Sequence, residues 1–158
     1  MKTTVIRILT VGALLFATSY VHAADTPSSP QPAPDKLSTV RAQIAANNFP
    51  GAIEELKRLN YTGDADWNNL MGYSLRKSPA PDFAGAEKFY DEALRIDPRH
   101  LGALEYSGEL YLQTGDVARA EQRLAALDKA CFLGCSEYRD LKKAIARYKA
   151  GNTTSFGY

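Results

Sequence analysis

The feature that most constrains the fold of this chain is a resemblance of the sequence to itself at an interval of 34 residues. Alanine recurs at that interval, and a residue type that caps helices lies four positions before each alanine. Such an interval, filled by amphipathic helical patterns, predicts stacked helix pairs, because each pair must bury its apolar face against the next. The recurring alanines are Ala52, Ala86 and Ala120, and the predicted caps are Asn48, Asp82 and Asp116.

The clearest copies of the pattern run from residue 65 to residue 100 and from 101 to 134. In the first of these, two helical patterns are joined by a proline-containing turn and end at Asp97-Pro98. A degenerate copy occupies residues 37–64, and Gly63 is predicted to end its second helix. Gly72 and Gly108 lie inside predicted helices, where glycine costs about 1 kcal/mol, so we expect close helix packing at these positions.

In the third copy a large apolar residue, Gly108, Tyr111, Gly115-Asp116 and Ala120 follow one another at fixed offsets. Together with Ala93 and Pro98 in the second copy, they resemble the tetratricopeptide repeat (TPR) family, in particular short exported bacterial members. The resemblance implies an all-α fold, a right-handed α-solenoid of about three helix pairs. It also implies a non-catalytic module that binds a protein or peptide partner.

Residues 135–150 are predicted to form a capping helix, with Ser136 as its N-cap. Lys142 stands where the repeats place Gly72 and Gly108, and a lysine there would prevent another helix from packing closely. We therefore expect this helix to end the solenoid. Residues 151–158 are predicted to be a flexible tail.

The N-terminus predicts export. Lys2 and Arg7 precede an apolar run, and Val21-His22-Ala23 offers small residues at a cleavage site, so residues 1–23 are interpreted as a signal peptide. The alternative is an uncleaved anchor, for which the apolar run is short. Residues 24–36 are rich in proline and serine and predict a linker. The expected location is the periplasm, with secretion as the second choice.

Charge and motifs argue against several function classes. The chain has 19 Lys and Arg against 18 Asp and Glu, so removal of Lys2 and Arg7 leaves 17 against 18. A net charge of −1 without a basic cluster gives no case for nucleic acid. No nucleophile, phosphate-loop or metal-ligand motif is present, so no enzyme activity, cofactor or metal is expected. Asp64 and Asp66 are interpreted as solvated loop residues.

The resemblance also implies that the first helix of each repeat lines a concave groove. By the repeat interval, its exposed positions should include Arg41 and Leu112, with Arg139 and Lys143 added by the final helix. The alternative is that charges pair across helices, since Glu105 precedes Arg139 by 34 residues and Glu109 precedes Lys143 by 34. The predicted partner-binding residues are Asn69, Tyr73, Arg76, Lys77, Glu105, Glu109 and Gln113, of which Asn69, Tyr73 and Arg76 have no obvious mates.

Some relatives in the wider family bind the C-terminal carboxylate of chaperones with basic and amide side chains. Here the corresponding positions of the third repeat are Glu105 and Glu109, which have the wrong charge for that mode of binding.

Cys131 and Cys135 are the only cysteines, and in an exported chain they predict a disulfide. The alternatives are reduced thiols, or a redox or metal role, although neither a Cys-x-x-Cys motif nor a nearby histidine is present. A further alternative for the whole chain is self-assembly into a homodimer, in which a second copy covers the degenerate first repeat.

Overall fold

In the computed structural model, residues 35–132 and 134–151 are described. The predicted signal peptide, the linker up to residue 34 and the tail beyond Gly151 lie outside this part of the chain. None of the helices in the described part is long and apolar enough to span a bilayer. These residues form seven α-helices and no strand: α1 (Ser38–Ala45), α2 (Phe49–Leu59), α3 (Ala65–Lys77), α4 (Phe83–Ile96), α5 (Leu101–Gln113), α6 (Val117–Ala130) and α7 (Ser136–Lys149).

The helices pack as consecutive antiparallel-type pairs, α1 with α2, α3 with α4 and α5 with α6, and each pair contacts the next. The first helices of neighbouring pairs also touch, α1 with α3 and α3 with α5. Helix α7 packs against α5 and α6, as the first helix of a fourth pair would. This arrangement confirms the predicted all-α solenoid of three helix pairs followed by a single helix.

The three predicted N-caps are confirmed. Asn48, Asp82 and Asp116 each accept a hydrogen bond from the backbone N–H three residues later, at 3.2, 2.8 and 3.0 Å. These side chains satisfy one of the backbone donors that a helix start leaves unpaired. The 34-residue interval therefore places the start of every second helix.

Two predicted helix ends are wrong. Asn60, not Gly63, ends α2, because Asn60 adopts the left-handed conformation (φ 53°) that asparagine tolerates at a C-cap. Cys135, not Ser136, caps α7: its Sγ accepts the Tyr138 N–H at 3.4 Å, and Ser136 is the first helical residue.

Three hydrophobic clusters stack along the solenoid, each shared between neighbouring helix pairs. The first surrounds Trp67, whose indole N–H donates to the carbonyl of Leu56 at 2.9 Å and ties α3 to α2. The second surrounds Tyr90 of α4, and the third surrounds Leu141 of α7. No pair buries its core alone, so the clusters make the stability of each repeat depend on its neighbours.

The expected close packing occurs at Gly72. A Cβ atom there would lie 2.9 Å from the Tyr90 ring and 3.0 Å from the carbonyl oxygen of Ala86. Both neighbours belong to α4, so the missing side chain lets α4 approach α3 closely. Gly108 plays the same part for the last helix, since a Cβ there would lie 2.5 Å from Leu141 of α7.

We predict that Gly72→Ala destabilises the protein. On an exposed helix this change would stabilise by about 1 kcal/mol, but here the added methyl group meets a buried ring and a carbonyl. We expect a net loss of about 1–2 kcal/mol of unfolding free energy, measured by urea denaturation. Gly63→Ala is the control, because nothing lies within 4 Å of a Cβ at that position. Equal stability of the two variants would contradict the packing argument.

Candidate functional site

Side chains from α3, α5 and α7 line a concave pocket of about 470 Å³, a volume in the range of ligand-binding clefts. We call it the charged pocket because most of its lining residues ionise. It is lined by Tyr73, Arg76 and Lys77 of α3, by Glu105, Tyr106 and Glu109 of α5, and by Asp140, Lys143, Ala144 and Arg147 of α7.

A second concavity, the apolar pocket, of about 280 Å³, lies between α1, α3 and α5. Tyr73 and Tyr106 line both pockets, and their ring centroids are 4.8 Å apart. The pair therefore stands where the two pockets adjoin, and the pockets together form one surface, which we call the groove. The apolar pocket is lined by Arg41, Ile44, Ala45, Leu70, Tyr73 and Tyr106.

Beneath the tyrosine pair lies a buried cation. The Arg76 guanidinium donates to Glu109 at 2.8 Å, to Gln113 at 3.2 Å and to the Tyr90 hydroxyl at 3.4 Å. Burial lowers the pKa of Arg76, whereas Tyr90 and Glu109 raise it by more, so the group stays charged. Such a cation costs several kcal/mol to desolvate and is stable only because its donors are satisfied.

The tyrosine rings complete the surroundings of this cation. The Arg76 guanidinium carbon lies 5.5 Å from the ring centroid of Tyr73 and 5.9 Å from that of Tyr106, within cation–π range. Tyr73 also meets Phe49 of α2 edge to face at 6.2 Å. Burial raises the pKa of both phenols, that of Tyr106 to about 12, so both keep their protons at neutral pH.

Four of the positions predicted to be exposed are buried. Asn69 and Glu105 occupy one repeat position and are 6% and 9% exposed, while Arg76 and Leu112 occupy another and are 3% and 1% exposed. The physical reason is that the next helix pair covers these two positions in each repeat. Asn69 consequently packs near Gly102 at the start of α5 and lines neither pocket.

The remaining predicted residues share two other repeat positions, and all are half-buried. Tyr73 and Lys77 line the charged pocket together with Glu109, whereas Gln113 accepts the hydrogen bond from Arg76. The structure thus brings five predicted residues into one pocket: Tyr73, Arg76, Lys77, Glu105 and Glu109.

The alternative pairing of charges takes a different form from the predicted one. Within the described ranges, Glu109 pairs with Arg76 and not with Lys143, and Glu105 forms no ion pair with Arg139. Arg76 therefore has mates that the sequence did not reveal, because its partners lie on the following repeat. Arg139 is exposed and does not line the charged pocket.

Sequence reasoning missed four residues of the charged pocket: Tyr106, Asp140, Ala144 and Arg147. The repeat interval contains a signal for three of them. Arg147 follows Gln113 by 34 residues, and Asp140 follows Tyr106 by 34. Extending the interval into the final helix would have found Arg147 as it found Lys143.

Glu105 has the most perturbed carboxyl of the groove. Burial raises its pKa to about 8, and the negative charges of Glu109, Asp140 and Glu137 add to the effect, whereas Arg76 opposes it. Glu105 is therefore mostly protonated at neutral pH, so its carboxyl can donate a hydrogen bond into the pocket.

A disulfide holds the α7 wall of the pocket in place. The Sγ atoms of Cys131 and Cys135 are 2.02 Å apart and the Cα atoms 5.7 Å apart. Cys131 is the C-cap of α6 and Cys135 is the N-cap of α7, so the bond joins the two helix ends directly. The loop is short, and its closure stabilises the fold by roughly 2 kcal/mol on entropy grounds.

We predict that Arg76→Met lowers the unfolding free energy by about 3 kcal/mol, because it leaves Glu109 and the buried Tyr90 hydroxyl without their donor. Urea denaturation measures the loss. Arg95→Met is the control, since Arg95 forms an ion pair at 2.7 Å with Glu92 on an exposed surface. That variant should be nearly as stable as the wild type. A stable Arg76→Met protein would show that the network is not structural.

We predict that Glu105 makes stability fall as the pH rises. Its pKa is about 8 in the folded chain and near 4.5 when unfolded, so between these values the folded state binds more protons. The thermal midpoint of the wild type should therefore fall, relative to that of Glu105→Gln, as pH rises through this window. Glu54→Gln, at an exposed position of α2, is the control. Parallel pH profiles for wild type and Glu105→Gln would contradict the assignment.

Comparison with known proteins identifies the repeats. Residues 80–145, from the turn before α4 into α7, match the family model described as tetratricopeptide repeat. No match was found among curated proteins. Repeats of this kind typically mediate binding between proteins and are generally non-catalytic. On this match and on its stacked helix pairs, the chain belongs to the tetratricopeptide repeat family.

Proposed function

We propose that this chain is a non-catalytic interaction module of the bacterial periplasm or cell envelope, which binds a segment of a partner protein in the groove. The observation that carries the proposal is the adjoining of the charged and apolar pockets at Tyr73 and Tyr106. An extended segment crossing the tyrosine pair would place one side chain in each pocket. Aromatic residues between pockets of different polarity are typical anchors of protein interfaces.

The groove is preorganised for binding. Tyr73 is held by contacts with Phe49, Tyr106 and Arg76, and Arg76 is itself fixed by hydrogen bonds to three residues. A partner would therefore meet side chains that have already lost most of their rotamer freedom. Binding to such a surface loses little conformational entropy.

Two features support export. The N-terminal residues have the pattern of a signal peptide, and the Cys131–Cys135 disulfide suits an oxidising compartment. Fractionation of cells by osmotic shock tests this part of the proposal. Recovery of the chain in the cytoplasmic fraction would contradict it.

The alternative functions receive less support. Self-assembly requires an apolar surface for a second copy, but the described residues expose only Tyr61 and Phe132 as large hydrophobic side chains, and these lie on separate loops. A thiol or metal function requires thiolates, and both sulfur atoms are bonded to each other. The groove is the better-supported binding surface.

Site-specific photo-crosslinking tests the groove. We expect benzoylphenylalanine at position 73 to crosslink a partner polypeptide in cells, because Tyr73 lines both pockets and the probe retains an aromatic ring. The same probe at Lys88, exposed on α4, is the matched control and should give no such product. A partner captured equally from both positions, or from Lys88 alone, would contradict binding in the groove.

A further inference from the structure

Helix α7 brings two cations to the charged pocket. Lys143 and Arg147 lie one helical turn apart, are exposed and line the pocket. Neither forms an ion pair with another residue of the described ranges. This differs from Lys149 on the same helix, which pairs with Glu121 at 2.5 Å.

Across the pocket from these cations stands a carboxyl with no partner. Glu105 is 9% exposed, lines the pocket, and makes no hydrogen bond or ion pair within the described part of the chain. Burial raises its pKa to about 8, so at neutral pH it carries a proton that nothing in the described chain accepts. A buried polar group of this kind is costly unless a bound molecule satisfies it.

The charge balance of the pocket indicates what that molecule is. Arg76 and Glu109 neutralise each other. With Glu105 protonated, Asp140 is the remaining anion among the lining residues, against Lys143, Arg147 and Lys77. An acidic group would complement this excess of positive charge, whereas a basic group would be repelled.

We propose that the charged pocket binds an acidic side chain of the partner segment, whose carboxylate pairs with Lys143 and Arg147 and accepts a hydrogen bond from the Glu105 carboxyl. This inference rests on the proposed function, since it names the chemistry of a partner bound in the same groove. The adjoining apolar pocket, lined by Ile44 and Leu70, would hold a hydrophobic residue close to the acid in the partner sequence.

Selection of random peptides tests the inference without knowledge of the natural partner. Short random peptides displayed on phage are selected on the mature chain, and Tyr73→Ala identifies those that bind in the groove. The expected result is enrichment of Asp or Glu next to an apolar residue, relative to the unselected library. Groove-dependent peptides without acidic enrichment would overturn this inference and leave the proposed function standing. If no selected peptide depends on Tyr73, the proposed function fails as well.

Adjacent lysines on α7 provide a matched pair of variants for the selected peptides. Lys143→Glu reverses a charge inside the pocket, whereas Lys142→Glu reverses one outside it, where Lys142 lies against the Tyr138 ring. We expect Lys143→Glu to weaken binding about tenfold or more, and Lys142→Glu to leave it almost unchanged. Isothermal titration calorimetry measures both, with circular dichroism to verify folding. Equal losses would show that only the overall charge matters and would overturn the inference.

The hydrogen bond from Glu105 has its own signature. Wild-type affinity should fall as the pH rises through about 8, because an ionised Glu105 repels the bound carboxylate. Glu105→Gln keeps a donor that does not ionise, so its affinity should stay nearly constant over the same range. A pH dependence shared by both proteins would assign the effect to another group and overturn the role of Glu105. The charged groups that face Glu105 are Glu109 of α5, Glu137, Asp140, Lys143 and Arg147 of α7, and Arg76 and Lys77 of α3.

Discussion

The contact between Gly72 and Tyr90 is the constraint on which the middle of this structure depends. Because Gly72 has no side chain, the Tyr90 ring lies against α3, and its hydroxyl reaches the Arg76 guanidinium at 3.4 Å. Arg76 in turn bonds Glu109 and Gln113 of the next repeat. One missing methyl group thus links the packing of a helix pair to the floor of the groove, so stability and binding surface are coupled.

The 34-residue interval predicted the fold well because it reports local chemistry. Caps such as Asp82 and Asp116 act within one helical turn, so their recurrence fixes helix starts without knowledge of tertiary contacts. It predicted exposure poorly, because exposure depends on the next repeat. Asn69 and Glu105 are buried by the helices that follow them, whereas Arg139, at the same position in α7, is exposed since no repeat covers it.

Helix α7 has two roles that follow from this end position. Lys142 replaces the glycine of the earlier repeats, which disfavours close packing of a further helix. The opposite consequence is that Lys143 and Arg147, with nothing packed over them, extend into the charged pocket. The disulfide between Cys131 and Cys135 fixes the start of this helix, so it also sets where those cations stand.

Arg76 occupies a repeat position that is filled by leucine, Leu112, in the following repeat. Leucine shows that the position accepts an apolar side chain, and replacing a buried ion pair by apolar residues is often neutral or stabilising. The arginine is therefore poorly explained by stability alone. Its guanidinium instead faces both Tyr73 and Tyr106 and neutralises Glu109, which leaves the positive charge of the pocket to the α7 cations. We interpret Arg76 as a residue that fixes the shape and charge of the groove at some expense of stability.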